Sequence, residues 1–436
     1  MHLKIINTIS GLQFFQLLRF GTLLLISIFF TKSNVTTEAI GNYEFFLFVS
    51  TLACSFWING LIQSFLPLFR NNYSFTQTGC RSPEFFNVFV LLSIFSFLVV
   101  VVLFFFRFSI LGLLGKSGTI PYFNFLLVYI FFSSPAFLVE YIYLLKDKAG
   151  WIIKYGLITF SVQFILVVVP VFLGMGMEIS IMGLVAVSVI RYGWLVVLLK
   201  RYAQFSLSKG FIKEHLHLAL PLIVSSLLGA SAQYVDGFLV LNEFDTATFA
   251  VFRYGAKEFP LVLMMANALN TAMIPVFSAK KKLSETLMSL RNKTARLMHL
   301  LFPVTIIFMI FSNWLYPRVF NENFTASAGI FNIYLLLVIS RLVFPHTILI
   351  GLKKTKIIMY ASMAELVVNV ILSIVFIRFW GIEGVAFATF IAYAIQKIVW
   401  VGYNKIVLGI SPGEYIPILV WGIYSFLTLV VFYVVY

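Results

Sequence analysis

The chain has 436 residues, of which 61% are hydrophobic, 18% aromatic and 11% charged, and its mean hydropathy is +1.00. Soluble globular chains carry about 25% charged residues, so this composition excludes a soluble enzyme or binding domain and specifies a membrane protein. The net charge of +15 calls for no nucleic-acid partner, because positive loops on one side of a membrane account for it.

Apolar runs long enough for a helix to cross about 30 Å of hydrocarbon fall at 8–31, 39–69, 85–106, 120–146, 149–174, 179–200, 213–241, 247–278, 292–317, 325–350, 356–379, 381–408 and 414–436. The expected fold is therefore all-α and polytopic, with thirteen spans. The opening MHLKIINTIS leads into span 1 with no small-residue cleavage site after it, so span 1 is expected to be a retained helix. Within it, QFFQLLRF places Gln13, Gln16 and Arg19 three residues apart, a polar stripe on an apolar helix. Span 2 carries Glu44 and Cys54. With Cys80 as the second and last cysteine, neither a disulfide framework nor a metal pattern is present.

Further along, Glu140 and Lys154 lie near facing ends of spans 4 and 5 and are expected to pair. Asp236 in span 7 and Arg253 in span 8 fall at similar depth and make a second candidate pair. Arg341 in span 10 and Glu365 in span 11 make a third. Lys257 follows Arg253 by four residues in FRYGAKEFP, one turn further into span 8, and no acid on a neighbouring span sits at its depth. His346 has no second ligand spaced to share a metal and reads as a hydrogen-bonded core histidine. Charged groups inside spans each destabilise insertion by at least about 2.5 to 3.5 kcal/mol unless paired or hydrated, so those here are expected to face a bundle interior or a watery cavity.

Loops after even-numbered spans carry eighteen Lys and Arg, and loops after odd-numbered spans carry five. Short cytoplasmic loops retain cations, which puts the N-terminus and Lys4 in the cytoplasm. The KKK and KKTK clusters then serve as topology anchors.

The chain also repeats itself. GLVAVSVIRY from Gly183 aligns with GVAFATFIAY from Gly384, matching Ser188 to Thr389 and Tyr192 to Tyr393, and LPLF ending at Phe69 echoes IPVF ending at Phe277. Six spans separate each pair, so two halves of like orientation are related by an axis along the membrane normal. The expected organisation is an N-terminal lobe over 1–205, a C-terminal lobe over 206–410 and an extra helix over 411–436.

IGNYEFF, YVDGFLV, AMIPVFS and NVILSIVFIRFWGIEGVAFAT together resemble the multidrug/oligosaccharidyl-lipid/polysaccharide (MOP) exporter superfamily, nearest its Wzx-type flippases of O-antigen and related polysaccharide repeat units. That resemblance implies two six-helix lobes in a V around a central cavity that opens alternately to each side, in a bacterial inner membrane. It also implies a lipid-linked, polyprenyl-pyrophosphate oligosaccharide as substrate, met by cations on spans 1 and 8. Arg19, Arg253 and Lys257 stand on those spans, with Glu44, Asp236 and Glu365 as coupling or pairing acids. Two departures stand out: the superfamily usually has twelve or fourteen helices, and the Arg-x-Leu-Gly that often precedes the position of Gly41 is missing.

Phosphates do not enter hydrocarbon unaided. Arginine supplies a bidentate fork for them and lysine a compact charge, while Tyr and Trp can line a sugar path. No GxxxxGK[ST] loop is present, so no ATP-type cofactor is expected and the energy source would be an H+ or Na+ gradient or the membrane potential. Expected partners are membrane lipids and other glycan-assembly proteins. The alternatives are a drug or cation antiporter, which predicts an acid-dominated cavity, and a membrane-embedded polymerase or acyltransferase, which requires a catalytic constellation that the lone His346 does not make.

Overall fold

The computed structural model of the chain describes residues 8–69, 81–113, 120–278, 283–352 and 354–436. Lys4, Arg70, Cys80, Lys116, Lys280, Lys281, Lys282 and Lys353 lie outside the described residues, as does the side chain of Gln13. Among the described residues every named element is a helix, and a single isolated bridge joins Ser82 to Ala203. The chain divides into two compact units, Met1–Ala230 and Ser231–Tyr436.

The first unit contains α1 (Thr8–Thr31), α2 (Thr37–Leu68), α3 (Pro83–Leu113), α4 (Phe123–Ala136), α5 (Leu138–Leu145), α6 (Ala149–Phe172) and α7 (Gly176–Tyr202). α2 starts where the Thr36 side chain accepts from the amide of Ala39 at 3.2 Å, filling one of the unpaired first-turn donors. Pro135 lies in the last turn of α4 and Phe137 alone separates α4 from α5, so the expected fourth span is one membrane segment in two pieces. α1 lies along α6, and α7 packs on both α6 and α4. Polar side chains inside these helices satisfy themselves on the turn below: Ser64 donates to Gly60 O at 2.8 Å and Thr159 to Tyr155 O at 2.8 Å. Large apolar side chains on α3, such as Phe105 at 73% and Phe108 at 64%, remain exposed, which suits a solvent of lipid tails.

α8 (Lys209–Glu243) passes from the first unit into the second. The second unit continues with α9 (Thr246–Gly255), α10 (Pro260–Ser278), α11 (Leu283–Val319), the short 3-10 turn Glu322–Phe324, α12 (Ala326–Leu335), α13 (Val338–Arg341), α14 (Pro345–Gly351), α15 (Thr355–Ile406), α16 (Pro412–Tyr415) and α17 (Ile418–Val435). Its apolar core runs through Met273, Leu290, Met298, Phe302, Leu342, Phe344 and Ile348. α17, the expected thirteenth span, packs along α11, with the Tyr424 ring stacked on Phe302 at 5.2 Å.

Ten described helices are long and apolar enough to cross a membrane, or eleven if the bent pair Ala326–Arg341 and Pro345–Gly351 is one span. The expected thirteen differ from this for two physical reasons. α15 holds 52 residues, and at 1.5 Å per residue it is more than twice as long as a bilayer core is thick. Non-helical Gly381 (φ 57°, ψ −137°) divides it where spans 11 and 12 were expected to meet. Span 8 is the other case, because it breaks between α9 and α10 at Ala256–Phe259, and neither the ten-residue α9 nor α10 is among the ten helices counted.

The aligned glycines do the same work in both units. A Cβ on Gly183 would run into the carbonyl of Leu166, and one on Gly384 into the carbonyl of Phe376. Each glycine lets two consecutive membrane segments touch backbone to backbone, a close approach that only glycine permits.

Candidate functional site

In the first unit, Arg19 on α1 borders a cavity of about 220 Å³ with Ser50, Thr51 and Asn59 of α2 and Tyr129 and Ser133 of α4. Its guanidinium lies 4.7 Å from the centre of the Phe137 ring, at the join of α4 and α5. The lining is thus one fixed cation among hydroxyls, an amide and aromatic rings, which is a chemistry suited to an oxyanion or a sugar. Arg191 on α7 adds a second cation nearby: it donates to Gln163 Oε1 at 2.9 Å and rests over Phe160 at 4.8 Å. Tyr129 and the buried Glu140 both lie in the fields of Arg19 and Arg191. Lys154, the expected partner of Glu140, is exposed and lies over the Trp151 ring at 4.9 Å instead. Glu44 is buried on α2 and is not among the described residues that line the cavity.

The second unit holds a buried polar core. Asp236 on α8 is 1% exposed, and its Oδ2 accepts from Thr389 at 2.6 Å and from Tyr334 at 3.2 Å. Asn369 donates in turn to Thr389 Oγ1 at 3.0 Å. Three helices, α8, α12 and α15, therefore meet on one carboxylate. Three buried acceptors in this core, Asp236 Oδ1, Asn369 Oδ1 and Glu365 Oε1, have no hydrogen-bond partner among the described residues. Buried polar atoms are paired as a rule, so this cluster has the capacity to take up a proton or a cation.

Beside it two spans are broken and stapled together. α9 ends at Gly255, packed so closely on α12 that a Cβ there would come within 2.5 Å of Ser327 O. α10 starts at Pro260, which needs no amide partner in a first turn. Between them stands Glu258, which receives a bidentate pair from Arg341 (Nε at 2.9 Å and Nη2 at 2.6 Å) at the end of α13. That arginine lies at the second break, where Leu342–Phe344 separate α13 from α14, and its guanidinium sits 4.4 Å from the Tyr393 ring centre.

Carbonyls freed by the breaks find partners. Tyr254 O receives Tyr316 at 3.1 Å and Val343 O receives buried Lys397 at 2.9 Å; Asn404 also donates to Pro345 O, in the first turn of α14, at 3.2 Å. Non-helical backbone persists inside a membrane protein only under such conditions.

Sequence expectations change here. Arg341 pairs with Glu258 and not with Glu365, because Glu258 leaves the helix and turns back toward α13. Lys257 also lies outside a helix, so it is not on the face of Arg253. Its Nζ sits 4.7 Å from the Tyr254 ring centre, while Arg253 is in the last turn of α9. Asp236 and Glu365 share one polar core. Arg19 belongs to the first unit, and Arg253 and Lys257 to the second. Sequence reasoning did not single out Arg191, Thr389 or Tyr393 as members of a site; the repeat alignment was the one signal touching the last two.

The profile of the polysaccharide biosynthesis protein family matches residues 78–329. The chain belongs to that family. Its fold is shared by the lipid II flippase MurJ in an inward closed conformation, with TM-score 0.69, 18% identity and coverage of 97% of this chain and 92% of that one. An inward-facing multidrug resistance MATE family transporter of the MOP superfamily gives 0.67 at 13% identity, covering 89% and 94%. A MOP superfamily transporter from Pyrococcus furiosus gives 0.57 at 14% identity, covering 92% and 95%. A comparison with curated protein sequences gives no match. This polysaccharide biosynthesis family member thus has the MOP fold that the sequence resemblance implied.

Proposed function

We propose that this polysaccharide biosynthesis family member is a flippase that carries a lipid-linked oligosaccharide from the cytoplasmic to the outer leaflet of a bacterial inner membrane by alternating access. It is a transporter on this reading and not an enzyme. The observation that carries the reading is the cavity of Arg19, in which a guanidinium stands among Ser50, Thr51, Asn59 and Tyr129. A pyrophosphate needs a cationic, multi-donor host and its sugars need hydroxyl and ring contacts. A drug-cation exporter would favour an acidic lining, and no acid is among the described residues of this cavity.

Lys257 and Arg253 supply the corresponding positive charge of the second unit. The Asp236 core supplies the coupling element: carboxylates among hydroxyl and amide oxygens are a fitting host for H+ or Na+. The polyprenyl tail stays in the bilayer, and membrane lipids and other glycan-assembly proteins are its working partners.

The test is surface glycan in cells whose only copy of the protein carries Arg19→Ala or Lys257→Ala at normal expression. Loss of one charge-assisted phosphate contact removes about 1.5 to 3 kcal/mol, so export should fall by roughly tenfold or more. Undiminished surface glycan in both variants would remove the substrate assignment.

A further inference from the structure

One charged cluster takes no part in the cavity or the coupling core. It lies at the end of the first unit that the loop cations assign to the cytoplasm. Lys146 follows α5, Lys148 precedes α6, and Arg201 and Tyr202 close α7. Tyr202 is 6% exposed, and three cations gather on it. Lys148 donates to its hydroxyl at 2.9 Å, and Arg201 and Lys146 lie 5.4 Å and 6.0 Å from its ring centre. Lys146 also stands 5.5 Å from the centre of the Phe85 ring and 5.9 Å from that of Phe69. The floor is held rigid from below. Ser82 N donates to Tyr202 O at 2.9 Å and Gln204 N to Ser82 O at 3.1 Å, which ties the approach to α3 against the end of α7.

A lysine that only fixes topology needs to be positive and near the membrane. It needs neither partial burial nor an aromatic seat. Lys146 and Lys148 are both half-buried, and the residue between them, Asp147, takes the left-handed conformation (φ 51°). Such a φ is uncommon for a non-glycine residue and persists where the surroundings impose it; here it reverses the chain between the two lysines. Arg81, next to Ser82, and Lys200, next to Arg201, are sequence neighbours of the cluster and add positive charge, against the two acids Asp147 and Glu84. Like charges held together on a rigid aromatic base form a receptor for an anionic oxygen group. At a membrane surface the abundant anionic oxygen group is lipid phosphate.

We propose that Lys146, Lys148 and Arg201, seated around Tyr202, form a binding site for the phosphate of a membrane lipid. The site is separate from the transport cavity, so it can hold or fail independently of the flippase reading. The phosphate can belong to an anionic phospholipid or to a polyprenyl pyrophosphate.

Native mass spectrometry of the purified full-length protein tests this with three probes: phosphatidylglycerol, polyprenyl pyrophosphate and phosphatidylcholine. Lys146→Gln with Lys148→Gln should weaken retention of anionic lipid by about fivefold per lysine removed, and leave phosphatidylcholine unchanged. The paired Lys→Arg variant should retain most of the binding. Loss with both anionic probes identifies a phospholipid headgroup site, loss with polyprenyl pyrophosphate alone identifies a substrate-docking site, and either result supports the proposal. Unchanged retention of both anionic probes overturns it, as does an equal loss of phosphatidylcholine. Should the paired Gln variant fail to fold, the exposed Arg201→Gln is measured in its place under the same criteria.

Discussion

Glu258 and Arg341 show what a single ion pair does inside a bundle. Two charges leave water at considerable desolvation cost, and only a short bidentate geometry offsets it. Here Glu258 is 7% exposed and Arg341 23%, with Nη2 to Oε1 at 2.6 Å. Removing one partner strands the other, so Glu258→Gln or Arg341→Met alone should destabilise the protein by about 3 to 5 kcal/mol. The double variant Glu258→Leu with Arg341→Met should recover much of that loss, because two apolar groups leave no orphaned charge. Thermal unfolding of the purified variants in detergent measures both quantities; a single variant as stable as the parent would show the pair to be dispensable. The individual ionisable residues were legible in the sequence, since charge inside an apolar run is conspicuous. Their partners were not. Depth counted along straight helices matched Arg341 to Glu365, and that count fails wherever the chain leaves the helix, as it does at Glu258.

Whole helices carry a different kind of information. The interruption of span 8 is written in GAKEFP: Gly255 is a residue that can end a helix in close contact, and Pro260 is one that can begin the next. Counting apolar residues over twenty positions averages that punctuation away, and proline is tolerated in membrane helices often enough that Pro260 alone does not mark a break. RLVFP, ending at Pro345, hides the second break in the same way. The repeat was more legible, because a backbone contact constrains one position strongly. Gly183 and Gly384 stand at matching places in the two halves, each against the carbonyl of the preceding segment. Gly384→Ala and Gly183→Ala should therefore each destabilise by about 1 to 3 kcal/mol through overpacking. Gly422→Ala, where nothing lies within 4 Å, should be neutral or stabilise by up to about 1 kcal/mol through helix propensity. Melting temperatures of the three variants separate these cases, and equal shifts would remove the close-approach argument. The other half of the repeat diverges: Tyr192 packs among Phe89 and Phe132, whereas its counterpart Tyr393 covers the Arg341 guanidinium. The chemistry of the second unit was built on a scaffold the first unit shares.

For the molecule as a whole, the proposed ion-coupled transport requires an ion that distinguishes between conformations. A ligand shifts an equilibrium only by its differential affinity for the two states. The Asp236 core is the place where such affinity can arise, since Thr389 and Asn369 come from the repeat-bearing helix α15 and Tyr334 from α12. If Na+ binds there, it stabilises the folded protein by RT ln(1 + [L]/Kd), about 2.7 kcal/mol at a hundredfold excess over Kd. The melting temperature in NaCl should then exceed that in choline chloride at equal ionic strength. Asp236→Asn and Thr389→Val should abolish the difference, because each removes an oxygen donor or the bond that orients one. Arg19→Ala should leave it intact, because Arg19 lies in the other unit. A parent protein indifferent to Na+ but whose glycan export stops when the pH gradient alone is collapsed would assign the core to a proton. Indifference to both would remove the coupling role from Asp236 while leaving the substrate cavity of the first unit untouched, since the two readings rest on separate groups in separate units.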